Sequence, residues 1–151
     1  MAVNPVNRKL IILKVKPTPK YNSVLIIDDQ ELDNWITQKM LEAVNFSENI
    51  YVHTSSESAL EFLQNLAKNP YIPTNLLPDF IFMNIRMPNM DGFQFVKNFQ
   101  KLPPAITNHI KFVLMSAAPT AKEEAAVKAL GCVYKYLPKP LSTDLLEAIS
   151  S

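Results

Sequence analysis

The chain has 151 residues, of which 48% are hydrophobic and 19% charged, enough to bury one sizeable core without help from disulfides or metals. Its single cysteine excludes an internal disulfide, and no apolar run approaches the ~20 residues of a membrane helix, so a cytoplasmic domain is expected. The net charge of +1 conceals an asymmetry: Arg8, Lys9, Lys14, Lys16 and Lys20 lie in residues 1–22 without any acid, which leaves the remainder net acidic and excludes nucleic-acid binding by the folded part on charge grounds.

Residues 1–22 read as a basic N-terminal arm or linker, with Pro17 and Pro19 and no helical period. The run Leu10–Leu13 is too short for a signal-peptide core of about 7–15 residues, although "LIILKV" offers a strand to an exposed sheet edge. A regular pattern begins at Ser23 and marks residues 23–151 as the domain. "SVLII" is a short β-branched apolar strand. "DDQELDNWITQKMLEAVN" follows as a helix, with Leu32, Trp35, Ile36, Met40 and Ala43 predicted on its inward face. "NIYVHT" is the second strand, and Ser55 or Ser56 caps "SESALEFLQNLAKN", with Leu60, Leu63 and Leu66 inward. "DFIFM", "IKFVLM" and "CVYKYL" supply three further strands. "FQFVKNFQKL", "TAKEEAAVKAL" and "STDLLEAIS" supply the helices that follow them. The 12 prolines are assigned to the arm, loops and helix starts. Cys132, His53 and His109 are scattered singly, which argues against a metal site and places the cysteine in the core. Trp35 and the phenylalanines read as packing residues.

Continuous apolar strands alternating with helices predict a five-stranded parallel sheet covered on both faces, a doubly wound three-layer α/β sandwich. Ligands of such sheets sit outside the carboxyl ends of the strands. The residues just past those ends are Asp28 and Asp29, Asn84 and Arg86, Ser116, and Lys139. Each has an ordinary alternative: Asp29 as a helix cap, Ser116 as a turn residue, Lys139 as an exposed loop lysine. Their shared position at one end of consecutive strands favours a site. Two adjacent carboxylates and a further oxygen suit Mg²⁺, and a lysine with a hydroxyl suits phosphoryl oxygens.

Over roughly residues 22–150 the sequence resembles the receiver domains of two-component response regulators. The acidic pair matches Asp28-Asp29. "NIRMPNMDG" matches the acceptor segment except at its first position, Ser116-Ala117 matches the hydroxyl–alanine pair, and Lys139-Pro140 matches the lysine–proline pair. Tyr136 matches the aromatic switch position. The resemblance implies a flavodoxin-like fold with strand order 2-1-3-4-5 and a Mg²⁺ site formed by Asp28, Asp29, residue 84 and the backbone carbonyl of Arg86. It also implies phosphoryl stabilisation by Ser116 and Lys139, a Ser116–Tyr136 switch, and a cis Lys139–Pro140 bond. The implied partners are a sensor histidine kinase, a phosphotransfer protein or another receiver, and a homodimer through the fourth helix, fifth strand and fifth helix is a further expectation. The chain ends soon after Lys139-Pro140, so a stand-alone or excised receiver is expected, without an output domain and without enzymatic activity beyond self-catalysed phosphoryl transfer.

Asn84 departs from the pattern, because it stands at the phosphoacceptor position, where a carboxylate oxygen is the nucleophile. An amide keeps the shape and offers one oxygen to a metal, but it carries no charge and forms no stable phosphoryl bond. Weaker Mg²⁺ binding follows, together with a reduced need for Lys139 as counter-ion. Two readings stay open. The chain is either a receiver built for phosphorelay that carries an inert acceptor, or a phosphorylation-independent pseudo-receiver that acts as an interaction module. An enzyme of the haloacid-dehalogenase phosphatase type needs Asp-x-Asp after the first strand, where this chain has Asp28-Asp29-Gln30, and a flavodoxin needs a phosphate loop that is missing there.

Overall fold

The computed structural model describes residues 18–72 and 74–150; the arm's "LIILKV" lies outside them. The strands are β1 (Tyr21–Ile27), β2 (Ser47–His53), β3 (Phe80–Asn84), β4 (Lys111–Ser116) and β5 (Val133–Pro138). The helices are α1 (Glu31–Ala43), α2 (Ser56–Ala67), α3 (Gly92–Phe99), α4 (Ala121–Leu130) and α5 (Thr143–Ser150), and a single helical turn lies at Pro104–Thr107. All strand pairs are parallel, in the order β2-β1-β3-β4-β5. This is the doubly wound sandwich that the alternating pattern predicts, with the flavodoxin-like strand order that the resemblance implies.

The period-two geometry of a strand divides each apolar run between two helical layers. Leu25, Ile27, Ile81, Met83, Phe112 and Leu114 face one way and pack with Leu60 and Leu63 of α2, Phe95 and Phe99 of α3, and Val127 of α4. Val24, Ile26, Phe80, Phe82, Val113 and Met115 face the other way, with Leu41 of α1 and Leu146 and Ile149 of α5. Only β1, β3 and β4 are apolar and buried nearly throughout; β2 and β5, at the sheet edges, alternate toward solvent. Because β2 starts at Ser47 and β1 at Tyr21, both strands begin earlier than their apolar runs. Backbone pairing carries them: Tyr21 is in register with Ser47, and its ring lies 4.9 Å from those of Phe46 and Phe80. Pro138 closes β5 opposite Ser116, so one proline sits inside a strand, at its last position on an edge.

Two expectations about packing are corrected. On α1 the buried residues are Asn34, Thr37 and Leu41, whereas Leu32, Trp35 and Ala43 are exposed. The inward stripe is thus offset from the apolar one: Asn34 is buried where its side chain donates to the Asp28 carbonyl of the loop from β1, while Ile36 and Met40 are half-buried. Cys132 is exposed rather than in the core, because it lies in the turn after Gly131 on the outer edge of the sheet.

Candidate functional site

The loops at the carboxyl ends of β1, β3, β4 and β5 converge on one pocket of about 250 Å³. Asp29, Gln30, Asp33, Asn84, Arg86, Ser116 to Ala118 and Lys139 line it. Asp28 is completely buried and is bonded to Lys139, which lines the pocket.

Each loop is folded by identifiable contacts. After β1, Asp28 Oδ1 accepts from the Gln30 backbone N–H at 3.0 Å, and the Asn34 side chain donates to the Asp28 carbonyl at 2.7 Å. The residue before α1 is Gln30, whose side chain makes no capping bond; it donates instead to Asp29 Oδ2 at 3.2 Å. Asp29 therefore does not serve as the helix cap. After β3, Gly92 N–H donates to the Ile85 carbonyl at 2.7 Å and closes the loop. A Cβ on Gly92 would sit 3.0 Å from Ile85 Cα and 3.1 Å from Leu114 Cδ2, so the Asp-Gly pair follows from space. Asp91 then caps α3 in a capping box with Gln94. After β4, Ser116 Oγ accepts from Ala118 N–H at 3.3 Å, a turn-forming bond. Across to β5, Lys139 N–H donates to the Ser116 carbonyl at 2.8 Å, and the Lys139–Pro140 bond is cis.

Lys139 is no exposed loop lysine. Its side chain is 8% exposed, and its ammonium donates to Asp28 Oδ2 at 2.6 Å and Asp33 Oδ2 at 2.7 Å. Burial alone would lower its pKa, but the hydrogen bonds it donates to Asp28 and Asp33, together with their charges, outweigh burial and raise it. Sequence reasoning missed Asp33. An acid in the first turn of a helix reads as a complement to the helix dipole, and only the tertiary arrangement turns it toward Lys139.

Asn84 is buried, and its Nδ2 donates to the Arg86 carbonyl at 2.9 Å. Tyr136 O–H donates to Glu123 Oε1 of α4 at 2.5 Å. Its pKa is raised, first by burial and then by Glu123, while the nearby Ser116 hydroxyl pulls the other way. His109 pairs with Asp79, and His53 Nδ1 lies 3.0 Å from Ser58 Oγ; neither belongs to the pocket.

Among the described residues, no group of three or more His, Cys, Asp and Glu side chains is arranged to hold a metal ion. The donors at the rim are two adjacent carboxylates, one amide oxygen and one backbone carbonyl. Mg²⁺ takes one or two carboxylates and fills its octahedron with neutral oxygens, water and phosphate, so this donor set fits it.

The match to known proteins agrees with this geometry. Residues 24–150 match the family described as the response regulator receiver domain. The chain belongs to that family. This receiver is 28% identical over 133 residues to the polar-differentiation response regulator DivK of Brucella ovis, covering 85% of this chain and 94% of that protein. It is 29% identical over 129 residues to the regulatory protein AtoC of Escherichia coli, covering 85% of this chain but 24% of AtoC. This receiver thus spans about a quarter of the length of some relatives and nearly all of others. Among solved structures, a two component response regulator from Cytophaga hutchinsonii superposes with a TM-score of 0.75 at 25% identity, covering 85% of this chain and 93% of that one. Receiver domains are regulatory modules of two-component signalling rather than classical enzymes; they generally bind Mg²⁺ and interact with histidine kinases and phosphotransfer proteins. No helix of the described residues is long and apolar enough to cross a membrane.

Proposed function

We propose that this domain works in the cytoplasm as a receiver module in two-component signalling whose state is set by partner binding, without a phosphoryl group on residue 84. The observation that carries this reading is Asn84 itself. It sits at the end of β3, with its amide nitrogen committed to the Arg86 carbonyl. An amide nitrogen with a delocalised lone pair is a poor nucleophile, and its oxygen lacks the full charge that in-line attack on phosphorus requires.

Asp28, Asp29, Asn84 Oδ1 and the Arg86 carbonyl would hold Mg²⁺. When bound, the ion supplies positive charge to phosphoryl oxygens. In this reading Ser116 and Lys139 would stabilise such oxygens with a hydroxyl and an ammonium, and Tyr136 would follow Ser116 as the switch residue. In this chain Tyr136 donates to Glu123, and release of that bond is the change that a partner would have to bias.

The proposed partner is a sensor histidine kinase, a phosphotransfer protein or another receiver. Leu32 and Trp35, 67% and 57% exposed on α1, offer an apolar helical surface beside the rim. A second surface, for a homodimer, is the cleft of about 450 Å³ between α4 and β5, lined by Val127, Gly131, Tyr134 and Tyr136 among others. The arm or linker expected over residues 1–22 ends before Tyr21, since Tyr21 and Asn22 belong to β1.

Incubation with acetyl phosphate and Mg²⁺, followed by intact mass and peptide mapping, tests the reading. The wild-type chain is expected to gain no phosphoryl group at residue 84, and Asn84→Asp is expected to gain a labile one. A labile adduct on wild-type residue 84 overturns the proposal in favour of an ordinary phosphorelay receiver.

A further inference from the structure

Lys139 holds two carboxylates at once, at 2.6 Å and 2.7 Å. They differ in kind: Asp28 is fully buried and is one of the carboxylates suited to Mg²⁺, whereas Asp33 is 35% exposed and lies in the first turn of α1. With an amide at residue 84, the rim has one carboxylate fewer than the receiver pattern provides. Asp33 brings the number of carboxylates back to three, but it is bonded to the ammonium. Asp28, Asp29 and Asp33 are not arranged as a three-carboxylate metal cluster, so Asp33 serves the lysine rather than a cation in the pocket. Asn84 has Arg86 as its hydrogen-bond partner.

We propose that Asp33 is a positioning residue for Lys139: it holds the ammonium on the α1 side of the pocket and shares it with Asp28, so that Asp28 is only partly committed to the lysine. Asp28 Oδ1 is already engaged by Gln30 N–H, so Oδ2 is the oxygen the two cations contest. While Asp33 is present, the lysine keeps a carboxylate after giving up Asp28. When Asp33 is absent, the whole attraction of the buried ammonium falls on Asp28, and a divalent cation has to displace it unaided. This inference rests on the Mg²⁺ site of the reading above, but it does not depend on whether residue 84 accepts a phosphoryl group.

Calorimetric Mg²⁺ titration of the full chain, with no phosphodonor present, tests it. Lys139→Met is expected to tighten Mg²⁺ binding by roughly tenfold, since it removes a buried competitor from Asp28. Asp33→Asn is expected to weaken binding by roughly tenfold in the wild-type background, where charge loss and competition act together, and by only about threefold beside Lys139→Met, where charge loss acts alone. Asp33→Glu restores the wild-type isotherm. Equal effects of Asp33→Asn in both backgrounds overturn the proposal, because Asp33 then contributes charge and nothing else. A measurement on the unaltered protein guards against misfolded variants: the ¹⁵Nζ resonance of Lys139 is expected to move as Mg²⁺ saturates the site. Saturation that leaves this resonance in place, or no Mg²⁺ binding to either wild type or Lys139→Met, also overturns it. An adduct on residue 84 overturns the reading above and leaves this result standing, whereas equal effects of Asp33→Asn in both backgrounds overturn this inference and leave that reading standing.

Discussion

Tyr136 donates its phenolic proton to Glu123 from a site that burial has partly cut off from water. Ionising it would place a second negative charge against that carboxylate, so its pKa lies above 10.0. The folded pKa is raised above the unfolded value, so this tyrosine's contribution to stability is complete below about pH 10 and is lost as the pH rises through the folded pKa. In a ¹³Cζ NMR titration, the Tyr136 midpoint is expected above those of the exposed tyrosines, and Glu123→Gln should move it back toward them. An unchanged midpoint in Glu123→Gln would remove Glu123 from the explanation. At this scale the sequence was legible for the residues that follow strands directly. Asp28, Asp29, Asn84, Ser116 and Lys139 need only a strand end to place them, and the structure gathers them around one pocket. Asp33 was not legible, because its role depends on a lysine 106 residues further along the chain that only the sheet order brings to it.

Helices show what periodicity can and cannot settle. On α2 the spacing of Leu60, Leu63 and Leu66 agrees with the structure: the first two are buried and the third is half-buried against the same core. Ser55 caps that helix by accepting from Ser58 N–H at 3.1 Å. On α1 the apolar spacing is only partly inward: Leu32, Trp35 and Ala43 are exposed, Ile36 and Met40 are half-buried, and Asn34, Thr37 and Leu41 fill the buried positions. The two helix starts differ as well. Ser55→Ala is expected to cost about 1 kcal/mol of unfolding free energy, whereas Gln30→Ala, which removes no capping bond, should cost less than about 0.5 kcal/mol. Urea denaturation of both variants checks this, and equal losses would mean that Gln30 stabilises α1 by a route other than capping. The start of β2 was another blind spot. It begins at Ser47, ahead of its apolar run, because backbone pairing leaves no apolar signature, whereas β5 begins within one residue of its expected start.

For the whole molecule, burial is concentrated in three central strands and the two helical layers they support, and this arrangement was readable from alternating apolar runs and helices. Charge sets how that core responds to acid. His53, at the end of β2, is partly buried, and its pKa is lowered from 6.5 by desolvation. The unfolded chain therefore binds this proton more readily than the native one. Its contribution to stability is complete above about pH 6.5 and is lost as the pH falls through the lower folded pKa. The urea midpoint is expected to fall on acidification below that point, and His53→Gln should flatten the fall. A slope identical in both proteins would assign the acid sensitivity to other groups. The exposed indole on α1 has a practical consequence of a different kind. Trp35 is the sole tryptophan of the chain, it stands two positions from Asp33, and it faces water. The protein thus carries one intrinsic fluorophore at the surface proposed for docking, and a macromolecule seated there would shift its emission to shorter wavelength without any added dye.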